Sequence, residues 1–138
     1  MLVLIVDDEP VVAQTLGIIF RKNGYATDVV NSADEAFAFA LKTSPDLVLC
    51  DIEMPLRDGL ELMSDLGREL PACPILVLTG AYRSLSKIRD RAGSFGQSVS
   101  ILTKPCQPTE VLRAASQLLH PEARRVQWNA GASDVPAT

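Results

Sequence analysis

The sequence has few of the side chains that build zinc sites and thiol-based active sites. It contains three cysteines at long, irregular spacing (Cys50, Cys73 and Cys106) and a single histidine, His120. A structural zinc site needs four such ligands at close spacing, and a disulfide framework normally uses an even number of cysteines. The sequence therefore predicts unpaired thiols in a reducing compartment, and it disfavours a zinc centre or a Cys/His nucleophile pair.

Long hydrophobic runs are absent as well. No apolar run approaches the roughly 18 residues that a membrane-spanning helix requires. The apolar segment 1–6 is too short for the core of a signal peptide, follows no basic stretch and leads directly into Asp7 and Asp8. We therefore expect a cytoplasmic protein without a membrane partner.

The sequence also contains fewer positively charged than negatively charged side chains. Thirteen Lys and Arg side chains stand against seventeen Asp and Glu, which gives a formal net charge of −4. Nucleic-acid binding relies on clustered positive charge against phosphates, so we expect no direct nucleic-acid partner. With 138 residues, of which 47% are hydrophobic and 22% charged, the chain has the composition of one globular domain. Such a domain is large enough to form a core without disulfides or metals.

What the sequence does contain is a repeated alternation of short apolar segments and amphipathic helices. Strands are predicted over residues 2–6, 25–30, 46–50, 74–79 and 99–103. Helices are predicted from Pro10, from a capping box at Ser32 and Glu35, after Asp58 and Gly59, over 83–92, and from Pro108. Near-continuous apolar strands that alternate with helices predict a doubly wound α/β fold, a five-stranded parallel sheet with helices on both faces.

The helical periodicity also predicts which side chains face the core. The inward stripes of the first two helices are Val12, Leu16, Ile19 and Phe20, and then Ala36, Phe37, Ala40 and Leu41. The apolar periodicity is lost from residue 121 onward, where the composition becomes rich in Ala, Gly and Pro. We predict one domain over residues 1–120 and a flexible C-terminal tail over residues 121–138.

Polar side chains stand where four of the predicted strands end. Asp7 and Asp8 follow the first strand, Asp51 the third and Lys104 the fifth, and Thr79 ends the fourth. Right-handed crossovers bring the carboxyl ends of parallel strands to one edge, so these side chains should lie together. Clustered carboxylates raise one another's pKa unless a cation lies among them, and a set of oxygen ligands suits Mg²⁺. A lysine and a hydroxyl beside them suit an anion, so this edge is predicted to handle a phosphoryl group.

The sequence also indicates the phosphoryl acceptor. It contains no Walker-type glycine-rich loop, which disfavours nucleotide hydrolysis. An aspartate flanked by a metal ion can itself attack phosphorus and form an acyl phosphate. Asp51 ends the middle strand in sequence, between the acidic pair that follows the first strand and Lys104, and is therefore the natural candidate.

Four pieces of the sequence resemble the response-regulator receiver domain. They are residues 6–10 (Val-Asp-Asp-Glu-Pro), 49–59 (Leu-Cys-Asp-Ile-Glu-Met-Pro-Leu-Arg-Asp-Gly), 78–80 (Leu-Thr-Gly) and 103–105 (Thr-Lys-Pro). Each lies at a predicted strand end, and the resemblance covers about residues 2–119. It implies a flavodoxin-like sheet with strand order 2-1-3-4-5 and a phosphoacceptor of two-component signalling or a phosphorelay, not a turnover enzyme.

The resemblance also implies a metal site. Asp51 matches the phosphoacceptor of the family. Asp8 and Asp51 match the side-chain ligands of Mg²⁺, and Asp7 matches a residue that acts on the metal mainly through water. The backbone carbonyl of Glu53 matches the remaining protein ligand.

The phosphate-binding side of the site follows from the same resemblance. Lys104 matches the lysine that pairs with the phosphoryl oxygens, and Pro105 implies a cis peptide bond after it, an isomer that X–Pro bonds reach at modest cost. Thr79 and the adjacent Gly80 match the switch position, where the hydroxyl moves toward the phosphoryl group. The sequence departs from the family three residues before the lysine, because Ile101 replaces the usual aromatic residue and cannot reproduce its inward ring rotation.

The partners that the resemblance implies are a histidine kinase or histidine phosphotransfer protein as donor and a separate downstream protein. A homodimer through the fourth helix, fifth strand and fifth helix is also implied. Two alternatives stay open: an interaction module that works without phosphorylation, and a receiver excised from a hybrid kinase or a larger regulator. A phosphate-ester hydrolase with an aspartyl intermediate is disfavoured, because the two aspartates one residue apart on one strand that are usual in that class are missing.

Overall fold

Strands and helices alternate along the chain in the computed structural model, which describes residues 1–52, 59–80, 85–95 and 98–121. The strands are β1 (Leu2–Val6), β2 (Ala26–Val30), β3 (Leu47–Asp51), β4 (Ile75–Thr79) and β5 (Val99–Thr103). The helices are α1 (Pro10–Lys22), α2 (Ala33–Thr43), α3 (Gly59–Glu69), α4 (Leu85–Phe95) and α5 (Pro108–Leu119). The predicted tail lies outside the described residues, apart from Pro121.

The strands form one parallel sheet in the order β2-β1-β3-β4-β5. This confirms the predicted strand order and fold class. Because every strand runs in the same direction, all five carboxyl ends lie along a single edge of the sheet. None of the helices in the described ranges is long and apolar enough to cross a bilayer.

The sheet separates two hydrophobic cores. Alternate residues of the central strands point to opposite faces, as in any strand. Leu4, Val48 and Val77 pack with side chains of α2, α3 and α4 in what we call the first core. Ile5, Leu49 and Leu76 pack with side chains of α1 and α5 in the second core. β3 and β4 are therefore buried on both faces, which explains their near-continuous apolar sequences.

Two helix starts follow the signals in the sequence. Ser32 caps α2, since its hydroxyl oxygen accepts a hydrogen bond from the Glu35 backbone N–H at 3.1 Å. Pro108 occupies the first turn of α5, and the Glu110 carboxylate accepts a hydrogen bond from the Gln107 backbone N–H at 2.8 Å. The end of α4 differs from the prediction, because the helix continues to Phe95 where the sequence indicated an end near Ala92.

The predicted burial of Val12 and Leu41 is wrong, because their side chains are 38% and 47% exposed. The inward stripe of α1 is formed by Ala13, Gly17 and Phe20, and that of α2 by Ala33, Ala36 and Ala40. Gly17 lies so close to β2 that a Cβ there would come within 3.0 Å of a Val29 methyl group. Phe20, Ala36 and Ala40 were predicted in these stripes, and the small residues let both helices approach the sheet closely.

The outer edge of β2 carries a specific hydrogen bond. On the inner side, Ala26 donates its N–H to the Met1 carbonyl and Val30 accepts from the N–H of Asp7. Along a strand, successive backbone groups point to opposite sides, so the carbonyl of Thr27 points away from β1. It accepts a hydrogen bond from the Arg21 guanidinium at 2.9 Å. A side chain of α1 therefore occupies an acceptor on the free edge of the sheet.

Candidate functional site

Three carboxylates meet at the carboxyl edge of the sheet. One oxygen each of Asp7, Asp8 and Asp51 lies within 4.8 Å of the other two. The strand register explains this proximity, because β1 and β3 are adjacent and Val6 pairs with Cys50 one residue before the acidic groups. Asp7 and Asp51 are buried, at 2% and 4% exposure, whereas Asp8 is half-buried. The fold therefore brings together the three aspartates that the sequence placed at separate strand ends.

Asp7 is held in place through both its side chain and its backbone. Its carboxylate accepts a hydrogen bond from the Glu9 backbone N–H at 2.9 Å. Its carbonyl accepts one from the Asn31 side-chain amide at 2.9 Å, and its N–H donates to Val30. Asn31 was not predicted as a site residue, although its position directly after β2 places it at the same edge as the carboxylates. These hydrogen bonds hold the Asp7 carboxylate in position before any ligand binds.

Burial raises the pKa of Asp7, and the negative charges of Asp8 and Glu9 raise it further. The hydrogen bond from the Glu9 N–H and the positive charge of Lys104 act in the opposite direction but do not cancel the effect of burial. Keeping the Asp7 carboxylate ionised therefore costs free energy in the absence of a cation. Two buried carboxylates and a third nearby are the arrangement that a bound divalent cation would stabilise.

Lys104 lies on the other side of Asp51. Its ammonium Nζ is 3.1 Å from the Asp51 Oδ2 atom, and the Lys104 side chain is 36% exposed. The Lys104 backbone N–H donates to the Thr79 carbonyl at 2.8 Å, which extends the pairing of β5 with β4 by one residue. The Lys104–Pro105 peptide bond is cis. Asp51 thus lies between two carboxylates and an ammonium group.

Thr79 is the last residue of β4 and is fully buried. It pairs with Thr103, the residue before Lys104, and Gly80 follows it at the end of the strand. β4 lies between β3 and β5, so Thr79 lies at the sheet edge between the strands that carry Asp51 and Lys104. The site therefore contains acidic, hydroxyl and ammonium groups on four adjacent strands.

The donor set fits Mg²⁺. Each of the three aspartates offers a carboxylate oxygen, and oxygen ligands in this number suit a hard divalent cation better than a soft one. Asp7, Asp8 and Asp51 would hold the ion, and the Lys104 ammonium group lies beside them. Glu53, whose backbone carbonyl was predicted as a further ligand, lies outside the described residues.

Two other predicted positions lie behind the site. Cys50 is buried in the first core and is 1% exposed, as expected for a neighbour of Asp51 that points to the opposite side of β3. Ile101, in the middle of β5, is half-buried and packs against the same core. The Ile101 side chain therefore packs inward at the position where the resemblance predicts an aromatic ring.

Comparison with protein families identifies the response regulator receiver domain over residues 3–116. The chain is 31% identical over 128 residues to the transcriptional regulatory protein ResD of Bacillus subtilis, a match that covers 93% of this chain and 52% of ResD. It is 32% identical over 118 residues to an uncharacterized 14.6 kDa protein in the sodA1 3' region of Leptolyngbya boryana, with coverage of 83% and 87%. The chain spans about half or less of the curated regulators that it matches, 52%, 49% and 26% in three cases.

Solved structures give the same result. The receiver domain of a signal transduction histidine kinase from Syntrophus aciditrophicus superimposes with a TM-score of 0.74 at 31% identity, covering 87% of this chain and 90% of that domain. The chemotaxis protein CheY4 of Vibrio cholerae gives a TM-score of 0.74 at 27% identity, with coverage of 86% and 98%. The similarity therefore extends over nearly all of the described fold.

Proposed function

The chain belongs to the response regulator receiver domain family, and from that premise we propose that it is a phosphoacceptor switch in two-component signalling or a phosphorelay. Asp51 takes the phosphoryl group in this proposal, and Mg²⁺ is the cofactor. The observation that carries the proposal is the position of Asp51, with Asp7 and Asp8 within 4.8 Å on one side and the Lys104 ammonium at 3.1 Å on the other. A carboxylate between a cation site and an ammonium group is suited to receive a phosphoryl group.

The proposed transfer uses a phosphohistidine of a histidine kinase or histidine phosphotransfer protein as donor. An Asp51 carboxylate oxygen forms a bond to phosphorus while the phosphorus–nitrogen bond of the donor breaks. The imidazole leaves with the bonding electron pair and takes up a proton, and an acyl phosphate remains on Asp51. Mg²⁺ bound by the three aspartates would neutralise charge on the phosphoryl oxygens.

The chain's own side chains orient this reaction. Asp51 is held at the end of a strand that is buried on both faces, so its carboxylate has little freedom. Lys104, which pairs with Asp51 in the unphosphorylated state, then pairs with a phosphoryl oxygen. Glu53 remains a predicted backbone ligand of the metal.

The proposed switch follows from the charge that phosphorylation adds. A phosphoryl group brings roughly 1.5 to 2 negative charges and three acceptor oxygens to the sheet edge. The added oxygens accept hydrogen bonds from the Thr79 hydroxyl and the Gly80 backbone N–H in this proposal, so the phosphate favours one arrangement of the surface after β4. Ile101 cannot take part by rotating a ring, so the movement must reach the surface by another route.

We propose a separate protein, or a longer protein that contains this chain, as the output. The net charge of −4 does not favour direct nucleic-acid binding. Homodimerisation through α4, β5 and α5 remains a prediction. All three cysteines are unpaired, which suits the reducing cytoplasm as the place of action. Receiver domains are typically not turnover enzymes, and we propose the same for this chain.

The test is incubation with acetyl phosphate and Mg²⁺ followed by intact-mass measurement. We expect the wild-type protein to gain the mass of one phosphoryl group and Asp51→Asn to gain none. Asp46→Asn is the matched control, since Asp46 lies at the other end of the same strand and accepts a hydrogen bond from the Leu2 N–H. We expect this control to be phosphorylated as the wild type is.

Two results would contradict the proposal. An unchanged mass of the wild-type protein with Mg²⁺ present would favour a module that works without phosphorylation. Release of many phosphate equivalents from a phosphate ester would favour the hydrolase that the sequence disfavoured. Chelation of Mg²⁺ before the donor is added should abolish the mass gain, because no divalent cation then offsets the repulsion between the phosphoryl oxygens and the carboxylates of Asp7, Asp8 and Asp51.

A further inference from the structure

We propose that Arg91 couples α4 to the first turn of α3, so that a change of charge at Asp51 reaches α4 through α3. The inference rests on the proposed function, because it requires Asp51 to be phosphorylated. It assigns a role to a surface arginine in place of the aromatic residue that Ile101 replaces.

The first contact joins the end of β3 to α3. The Gly59 N–H, at the start of α3, donates to the Ile52 carbonyl at 3.1 Å. A Cβ on Gly59 would lie 2.8 Å from the Ile52 Cα and 2.9 Å from the Asp51 carbonyl oxygen. The backbone of α3 at Gly59 therefore packs against the backbone of Asp51 and Ile52, next to the proposed phosphoacceptor side chain. In such close packing, a shift of one segment displaces the other.

The second contact joins this turn of α3 to α4. The Arg91 guanidinium donates to the Leu60 carbonyl at 3.4 Å and forms a second, shorter hydrogen bond to the Ser64 hydroxyl. The Ser64 hydroxyl lies 3.2 Å from the same Leu60 carbonyl. Leu60 directly follows Gly59, so Arg91 is bonded to the turn that rests on β3. One charged side chain thus connects α4 with the segment nearest to Asp51.

The third observation concerns the burial of the described side chains of α4. Among the α4 side chains that the structure describes, only Ile88 is buried, and Leu85 is half-buried. Lys87 and Arg89 are exposed. The hydrogen bonds of Arg91 therefore add a polar attachment to α3 beside the apolar packing of Ile88 in the first core. Because α4 also follows Thr79 along the chain, the test must separate the two routes.

The experiment records NMR spectra of isotope-labelled protein with Mg²⁺, before and after addition of acetyl phosphate, with phosphate occupancy measured by intact mass in the same sample. Arg91→Met keeps the length of the side chain but removes its hydrogen-bond donors. Arg89→Met is the matched control on an exposed position of the same helix. We expect phosphorylation to shift the Ile88 methyl signals in the wild-type protein and in Arg89→Met. In Arg91→Met these shifts should fall to roughly half or less, at equal occupancy, while the Lys104 amide shift persists.

Ser64→Ala provides an independent test, because it removes one acceptor and leaves Arg91 in place. It should reduce the Ile88 shifts in the same direction but by less than Arg91→Met. Shifts of wild-type size in both variants, at full occupancy, would overturn the inference and leave the proposed function intact. Absence of a mass gain in the wild-type protein would overturn the proposed function, and the inference with it.

Discussion

β4 and β5 pair along their whole length, yet the two strands differ in burial. All five residues of β4 are buried, whereas all five residues of β5 are half-buried. β4 has a strand on each side, and β5 lies at the edge of the sheet. Thr79 ends the buried strand and is fully buried, whereas Lys104 follows the edge strand and is 36% exposed. The candidate site therefore combines the Thr79 side chain, which the core holds in place, with the Lys104 ammonium group, which has room to move.

The largest expected effect is on the free energy of unfolding when an isoleucine in each of these two strands is replaced by alanine. Ile75→Ala in β4 should lower the free energy of unfolding by about 4 kcal/mol, because a fully buried side chain leaves a cavity. Ile101→Ala in β5 should lower it by about 1.5 kcal/mol, because part of the side chain is already in water. Urea denaturation of the two variants measures the difference. Equal losses would show that β5 is as firmly packed as β4.

Thiol reactivity extends the comparison to the residues that flank these strands. Burial, with a smaller contribution from the negative charge of Asp46, raises the pKa of the Cys73 thiol, just before β4, to about 11. Its reaction with iodoacetamide at pH 8 should be about a hundredfold slower than that of a thiol of ordinary pKa. Cys106, after β5, is half-buried and should react faster, although burial raises its pKa too. Mass spectrometry of the peptides identifies the modified residue, and faster labelling of Cys73 would contradict this ranking.

Metal binding tests whether the carboxylates on the central strands act as one site. Saturating Mg²⁺ should stabilise the wild-type protein by about 2 kcal/mol, the effect of ligand at several tens of times its dissociation constant. Asp8→Asn should lose most of this gain, whereas Asp28→Asn, on the edge strand β2, should keep it. Thermal unfolding at constant ionic strength measures the shift. A gain that survives in Asp8→Asn would place the ion elsewhere.

The smallest expected effect concerns two turns that lead into the sheet. Ser44, before the central strand β3, has the left-handed φ of 49°, and Gly24, before the edge strand β2, has a φ of 93°. Ser44→Gly should stabilise the protein by about 0.5 kcal/mol, because relief of strain slightly exceeds the entropy cost of glycine. Gly24→Ala should destabilise it by about 1 kcal/mol, although no atom lies within 4 Å of the added Cβ. Thermal unfolding of both variants checks these opposite signs.

The topology and the grouping of the site residues were predictable from the sequence. Strands such as β3 are apolar at every position but the last, so both their type and the location of Asp51 at the carboxyl edge follow from one segment. Val12 and Leu41 were predicted wrongly, because the periodicity gives weight to large aliphatic residues. Ala13, Gly17 and Ala33, which were not predicted, are buried in these stripes.

The contacts that the sequence could not predict join residues far apart in the chain. Asn31 supports Asp7 from 24 positions away, and Arg91 reaches Ser64 across 27 positions. Neither belongs to a local motif, and both depend on how neighbouring elements pack. Arg91 is exposed, and only the three-dimensional arrangement reveals its bond to α3.

The hydrogen bond from Arg21 to the Thr27 carbonyl bears on self-association. A parallel sheet exposes unpaired backbone groups along its two outer strands, and another chain can add a strand there. A strand that approached β2 would need the Thr27 carbonyl as an acceptor and would meet a guanidinium already bonded to it. The β2 edge is therefore protected against strand-to-strand aggregation by a side chain of the helix that precedes it.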